Sequence, residues 1–167
     1  MLGARLGIDV GRARIGVARC DALRMLAVPV ETVARIYDAD THPDIAAAQT
    51  ELSDLERIRT LAEEYSAVDI VVGLPLNLQG ERTPSTDDAE KFASALQQHL
   101  KNLGAEIPVR LVDERLSTVT AQAHLHQSGK NVKNSRKVID QAAAVVILQQ
   151  ALDSDRFAGK PVGTVVN

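Results

Sequence analysis

The chain has almost no aromatic side chains: two Phe, two Tyr and no Trp among 167 residues. Aliphatic residues and alanine must therefore fill its core, and a dedicated platform of aromatic rings for stacking single-stranded bases is excluded. Cysteine is nearly absent as well. Cys20 stands alone, so no internal disulfide framework can form, which points to a reducing compartment; exposed, its thiol could link two copies of the chain. No apolar run reaches the ~18 residues of a bilayer-crossing helix. The opening Met1-Leu2-Gly3-Ala4-Arg5 lacks a basic segment followed by an apolar one, so a cytoplasmic location with no membrane partner is expected. Overall positive charge is missing too. With a net charge of −3 the chain is no basic coat for nucleic acid, and any contact with phosphates must come from a local patch.

What is present is the composition of a globular protein, 45% hydrophobic and 25% charged, at a length that fits one domain spanning residues 1–167. The charges are unevenly spread. Residues 1–36 carry six Arg against Asp9, Asp21 and Glu31, residues 37–64 carry eight acids against Arg57 and Arg59, and residues 110–137 carry six Lys or Arg against Asp113 and Glu114. With no internal repeat and no low-complexity linker, these swings read as different faces of one body.

Periodicity supplies the elements. Leu6, Ile8 and Val10 alternate with Gly7, Asp9 and Gly11, and Ile15 and Val17 alternate with Gly16 and Ala18. Two strands joined through Gly11–Ala13 form a hairpin, and a third strand is predicted from Val28 to about Ile36. Leu52, Leu55, Ile58, Leu61 and Ala62 mark an amphipathic helix; Val68–Val72, closed by Gly73-Leu74-Pro75, has the all-apolar character of a central strand. A helix follows from Thr83 to Leu103, stopped by Gly104. The spacing then predicts a strand over Ile107–Val112, a helix from Ser117 to about Gln127, and a last helix from about Ser135 to Leu152. Three leading strands followed by alternating helices and strands define an α/β chain: a mixed five-stranded sheet with an antiparallel leading meander and helices on both faces.

Three acids on separate elements carry the chemical interest: Asp9, Glu114 and Asp140, with Asp113 as second choice to Glu114. Asp9 interrupts an apolar strand among glycines, where a carboxylate is costly unless paired or bound to a cation. Glu114 follows a strand end, and Asp140 precedes by one turn the small residues Ala143 and Ala144, which let a helix approach a sheet closely. Carboxylates converging from two strand ends and a helix suit hard cations such as Mg²⁺ or Mn²⁺, and two such ions can drive phosphodiester hydrolysis. The same acids could instead be strand-end and loop residues, with Asp140 paired to Lys137. Cations stand nearby: Lys130, Lys133, Arg136 and Lys137 directly before Asp140, Arg12 and Arg14 directly after Asp9. They could hold phosphates or simply line a solvated loop. Gly11 to Gly16 has phosphate-loop glycine spacing but continues Val17-Ala18 where Lys-Ser/Thr is required. His124 and His126, two apart, do not share a helix face, and one Cys cannot build a structural zinc site.

Gly7-Ile8-Asp9-Val10-Gly11 followed by Arg14-Ile15-Gly16-Val17-Ala18 resembles the opening of the YqgF/RuvX family. So do Val71-Val72-Gly73-Leu74-Pro75-Leu76-Asn77, Asp113-Glu114-Arg115-Leu116-Ser117-Thr118, and Lys137-Val138-Ile139-Asp140-Gln141-Ala142-Ala143-Ala144. The resemblance runs through nearly the whole chain in family order. It implies a ribonuclease H-like fold and a metal-dependent nuclease whose carboxylates fall on Asp9, Glu114 and Asp140. It also implies a role in maturing the 5′ end of pre-16S ribosomal RNA in the cytoplasm, during ribosome biogenesis. Alternatives are a Holliday junction resolvase acting on branched DNA as a two-fold dimer, and a catalytically silent RNA-binding assembly factor. An actin-like ATPase would need two such domains around its nucleotide. Where many members of the family have an acid after the Ser-Thr pair, this chain has Thr120, Ala121 and Gln122, and the acidic stretch Asp38–Asp54 is longer than the family's usual connection. No heptad seam is visible, so a monomer or weak homodimer is expected.

Overall fold

A computed structural model describes residues 3–35, 54–113 and 132–166, and for 132–140 the backbone alone. Residues 38–53 of the acidic stretch, the helix expected from Ser117 and the loop with Lys130 lie outside the described residues. The elements are β1 (Ala4–Val10), β2 (Arg14–Cys20), β3 (Ala27–Ala34), α1 (Asp54–Glu64), β4 (Ala67–Leu74), α2 (Pro84–Asn102), β5 (Val109–Asp113), α3 (Val132–Ala158) and β6 (Thr164–Val165). The sheet order is β3-β2-β1-β4-β5-β6. β1, β2 and β3 form the expected antiparallel meander, β4 and β5 run parallel to β1, and β6 returns antiparallel at the edge.

Alternation along β1 sorts the molecule into layers. Leu6 and Ile8 join Ile15, Val17, Ile70 and Val72 in a core closed by Leu55, Ile58 and Leu61 of α1 and Phe92, Leu96 and Leu100 of α2. On the other face, Ala18, Cys20, Val71 and Val112 meet Ala144, Ile147, Leu148, Ala151 and Leu152 of α3. Each buried Leu or Ile contributes about 1.5–3 kcal/mol over an exposed one, and with so few rings these aliphatic contacts carry both layers. Gly7 makes the second layer possible. A Cβ there would lie 2.6 Å from Leu148 Cβ and 3.1 Å from the Ala144 carbonyl oxygen, so only glycine lets α3 sit this close to β1.

α3 runs antiparallel to β1. Arg5 meets Asp155, its Nη1 2.8 Å from the carboxylate; Gly7 meets Leu148 and Ala144. Gln141 donates to the Thr32 hydroxyl at 2.9 Å, and Thr32 stands level with Asp9 across the sheet.

Two expectations need correction. Among the described residues the sheet has six strands, not five: β6 is two residues long, too short to show any period. The last helix also runs farther than Ser135–Leu152, from Val132 to Ala158, because its last turns are polar and are secured by ion pairs and not by an apolar stripe. By contrast α2 starts as its sequence implies. Thr83 is its N-cap in a reciprocal capping box with Thr86, Pro84 opens the first turn, and Gly104 follows the C-cap with φ +73°.

Candidate active site at the strand ends

Asp9 is the penultimate residue of β1 and is half-buried. By alternation it shares the face of Gly7, the one that α3 covers. Its cross-strand partner on β2 is Gly16. On β4, Gly73 follows Val72 as Asp9 follows Ile8. The carboxylate thus stands between two residues that have no side chain, which leaves room beside it on the sheet surface. Above the same row, the backbone of Asp140 lies in α3 next to Gln141, whose side chain is fixed on Thr32. Residues 131 positions apart in sequence, Asp9 and Asp140, are therefore brought by strand and helix to one end of the molecule.

The turn after Asp9 is locked. Gly11 N–H donates to the Arg14 carbonyl at 2.9 Å, and a Cβ on Gly11 would come within 2.6 Å of that same oxygen. Arg35 reaches over from the end of β3 to donate to the Gly11 carbonyl at 2.8 Å, while forming a two-pronged pair with Asp88 at 2.7 and 2.9 Å. Its guanidinium also lies over the Phe92 ring, 5.0 Å from the centroid. Arg35, Thr32 and Gln141 all position this end of the sheet, and no pattern along the chain marks them: each looks like an ordinary polar residue until the register is known.

Of the remaining expected site residues, Arg12 is exposed in the β1–β2 turn and Arg14 is half-buried at the start of β2. Lys133, Arg136 and Lys137 lie with Asp140 on the first turns of α3, and their side chains, like Glu114 and Lys130 altogether, are outside the described residues. Asp113 ends β5 and is exposed. Alternation places it with Leu111, which packs against the α1 and α2 core, and not with Val112, which packs against α3. Among the described residues no three His, Cys, Asp or Glu form a metal-binding group. A groove of about 610 Å³ flanks this end, between α3 and the β5–β6 edge, lined by Leu74, Asp113, Gln150, Ser154 and Thr164 among others.

A mixed sheet with a leading meander, an acid at the end of its central strand and a long helix crossing that end defines the class: a ribonuclease H-like fold of the resolvase type. Thermus thermophilus RuvC shares it, both in a structure described as a complex with a Holliday junction substrate (TM-score 0.56, 12% identity, 96% of this chain and 99% of that one) and in another (TM-score 0.54, 14% identity, 95% and 99%). A family model described as "RuvX: Holliday junction resolvase" matches residues 3–154. Proteins named "Putative pre-16S rRNA nuclease" match nearly end to end. The one from Clavibacter michiganensis is 50% identical over 99% of this chain and 92% of its own length. Those from Leifsonia xyli and Streptomyces coelicolor are 51% and 47% identical over 96% of this chain, covering 92% and 86% of theirs. The chain belongs to the RuvX family.

Proposed function

We propose that this chain, acting as one nuclease domain over residues 1–167, hydrolyses phosphodiester bonds in structured RNA and trims the 5′ end of pre-16S ribosomal RNA. The observation that carries the reading is the setting of Asp9: a carboxylate flanked by Gly16 and Gly73, on the face crossed by the helix that bears Asp140. Carboxylate oxygens are hard donors, and the space beside Asp9 suits a hard cation such as Mg²⁺ or Mn²⁺. Asp9, Glu114 and Asp140 would hold it. Glu114 is preferred to Asp113 because Asp113 leaves the sheet on the face opposite Asp9. When bound, such ions activate water and stabilise the leaving oxygen. The protein's own part is to fix Asp9 through the locked Gly11 turn and to hold phosphates with Arg12, Arg14, Lys130, Lys133, Arg136 and Lys137.

A second reading, cleavage of Holliday junctions, is favoured by the description of the matching family model. It requires two sites related by a two-fold axis, whereas trimming an RNA end needs one. Labelled pre-16S-like RNA, a four-way DNA junction and plain duplex should be incubated side by side with Mg²⁺ or Mn²⁺. Metal-dependent RNA cleavage lost in Asp9→Asn supports the first reading. Symmetric nicking of the junction alone would replace it with the second, and RNA binding without cleavage of any substrate would leave only an assembly factor.

A further inference from the structure

The strand next to Asp9 ends in a loop whose construction differs from that of an ordinary connection. Past Leu74, Leu76 and Arg82 form an antiparallel bridge. Asn77 closes the loop from inside: its N–H donates to the Glu81 carbonyl at 3.0 Å, and its side-chain oxygen accepts from the N–H groups of Gln79 at 3.0 Å and Glu81 at 2.8 Å. Gly80 takes φ +81°, a conformation that costs glycine little. The base of the loop is bolted to α2. Arg82 pairs with Asp87 at 2.6 Å and with Glu90 at 2.7 and 2.8 Å, and the Thr86 hydroxyl donates to the Pro75 carbonyl. At the tip of this braced hairpin stands Leu78, 78% exposed.

An isolated exposed leucine is common and by itself means nothing. Here the hydrogen bonds of Asn77 with Gln79, Gly80 and Glu81 brace the turn that carries it, and its side chain stands in solvent. Charge does not explain the loop either. Its one cation, Arg82, is neutralised by two acids, so the tip is not built for phosphates. Its position is the informative part. Gly73 flanks Asp9, and the five steps of chain from Gly73 to Leu78 span at most about 18 Å, about five nucleotide steps at ~3.4 Å per step along one strand.

We propose that Leu78 is a wedge that inserts between bases of the RNA at the boundary of duplex and single strand, opening the strand that passes Asp9. The proposal rests on the nuclease reading above. Aliphatic side chains inserted at a base step unstack it, and a braced tip directs that insertion to one chosen step. The described aromatic rings cannot substitute. Phe92 is buried, Tyr65 is engaged by Arg19, and Phe157 lies at the far end of α3, as does the exposed group Leu23, Met25 and Leu26, whose loop is tied to Gln149 and Arg156.

The test uses the full chain carrying Asp9→Asn, so that bound RNA stays intact, and hairpin RNAs with a 5′ single-stranded extension and 2-aminopurine at successive positions across the boundary. Binding should raise the fluorescence several-fold at one or two positions within about five nucleotides of the cut made by the active protein. Leu78→Ser should return it to the level of free RNA, and Leu78→Met should restore it, with thermal melts unchanged because the side chain is exposed. In the active protein, Leu78→Ser should slow cleavage at a paired boundary at least tenfold and leave cleavage unchanged where mismatches have already opened it. Equal fluorescence and cleavage in wild type and Leu78→Ser, or the same loss from Leu23→Ser at the opposite end, would overturn the wedge while leaving the nuclease standing. Failure of wild type to bind or cut RNA would remove both.

Discussion

Charged groups occupy both ends of β1, in different settings. Near its start Arg5 is fully buried, donating to both oxygens of Asp69 at 2.7 and 2.9 Å and touching Asp155 at 2.8 Å, with Arg24 nearby. Near its end Asp9 stands between glycines. Removing one partner of a buried pair strands the other, so Asp69→Asn should destabilise the protein by about 3–5 kcal/mol, read from urea unfolding. Asp9→Asn should do the reverse: abolish cleavage while melting at the same or a higher temperature without metal, since converging carboxylates repel one another. A third acid titrates in a structural role. The Arg59 guanidinium, and after it the imidazole of buried His99 at 2.7 Å, hold the Glu56 carboxyl below its ordinary value. A lowered folded pKa means that its contribution is complete above the unfolded value, about 4.3, and is lost as pH falls through the folded one. Stability measured below that pH should therefore decline less steeply in Glu56→Gln than in wild type. Of these residues only Asp9 could be picked out in advance, because an acid inside an apolar strand is anomalous on its own. Arg5 looked like one more cation in a basic segment; its role depends on the β1–β4 register, which places it opposite Asp69.

Among the elements, strands and helices with a strong period were legible. The hairpin over Gly11–Ala13, the central strand ending at Gly73-Leu74 and the capped α2 all stand where alternation, apolar runs and capping residues put them. β6 was not, because two residues have no pattern, and it is held by Gly163 and by the Asp155 carboxylate, which accepts from the Val162 N–H at 2.8 Å. The contact of α3 with β1 was foreshadowed by Ala143 and Ala144, but the matching gap on the strand, Gly7, is visible only in three dimensions. Gly7→Ala should cost about 1–3 kcal/mol by overpacking and should reduce cleavage beyond what its melting temperature explains, because the helix it displaces carries Asp140. Three cations on the first turns of the same helix allow a separate check. Replacing Lys133, Arg136 and Lys137 by Ala should weaken binding of all RNA sequences alike and flatten the slope of log affinity against log salt by nearly one per lost contact; an unaltered slope would place those side chains away from the phosphates.

For the molecule as a whole, the thiol drops out of any account of assembly. Cys20 is fully buried in the layer under α3, and burial pushes its thiol above the ordinary value. Alkylation of the native protein should be slow until denaturant is added, and non-reducing gels should show no linked dimer. Any two-fold pairing that a junction-cutting activity requires must come from non-covalent contact, which light scattering with and without DNA would reveal.

The antiparallel seating of α3 on β1 also sets which changes of chain length the protein can tolerate. Asp155 anchors one end of the helix on Arg5, and Asp140 is carried fifteen residues upstream, a little over four turns at 3.6 residues per turn. One residue inserted between Leu148 and Asp155 turns everything upstream by about 100°, so the backbone at position 140 would be carried around the helix axis although its anchor remained in place. Inserting seven residues, close to two whole turns, would restore the angle but shift Asp140 about 10 Å along the axis. Neither change can be absorbed. The spacing from Asp140 to Asp155 is a fixed dimension of the molecule, as much a part of its specification as the identity of either acid.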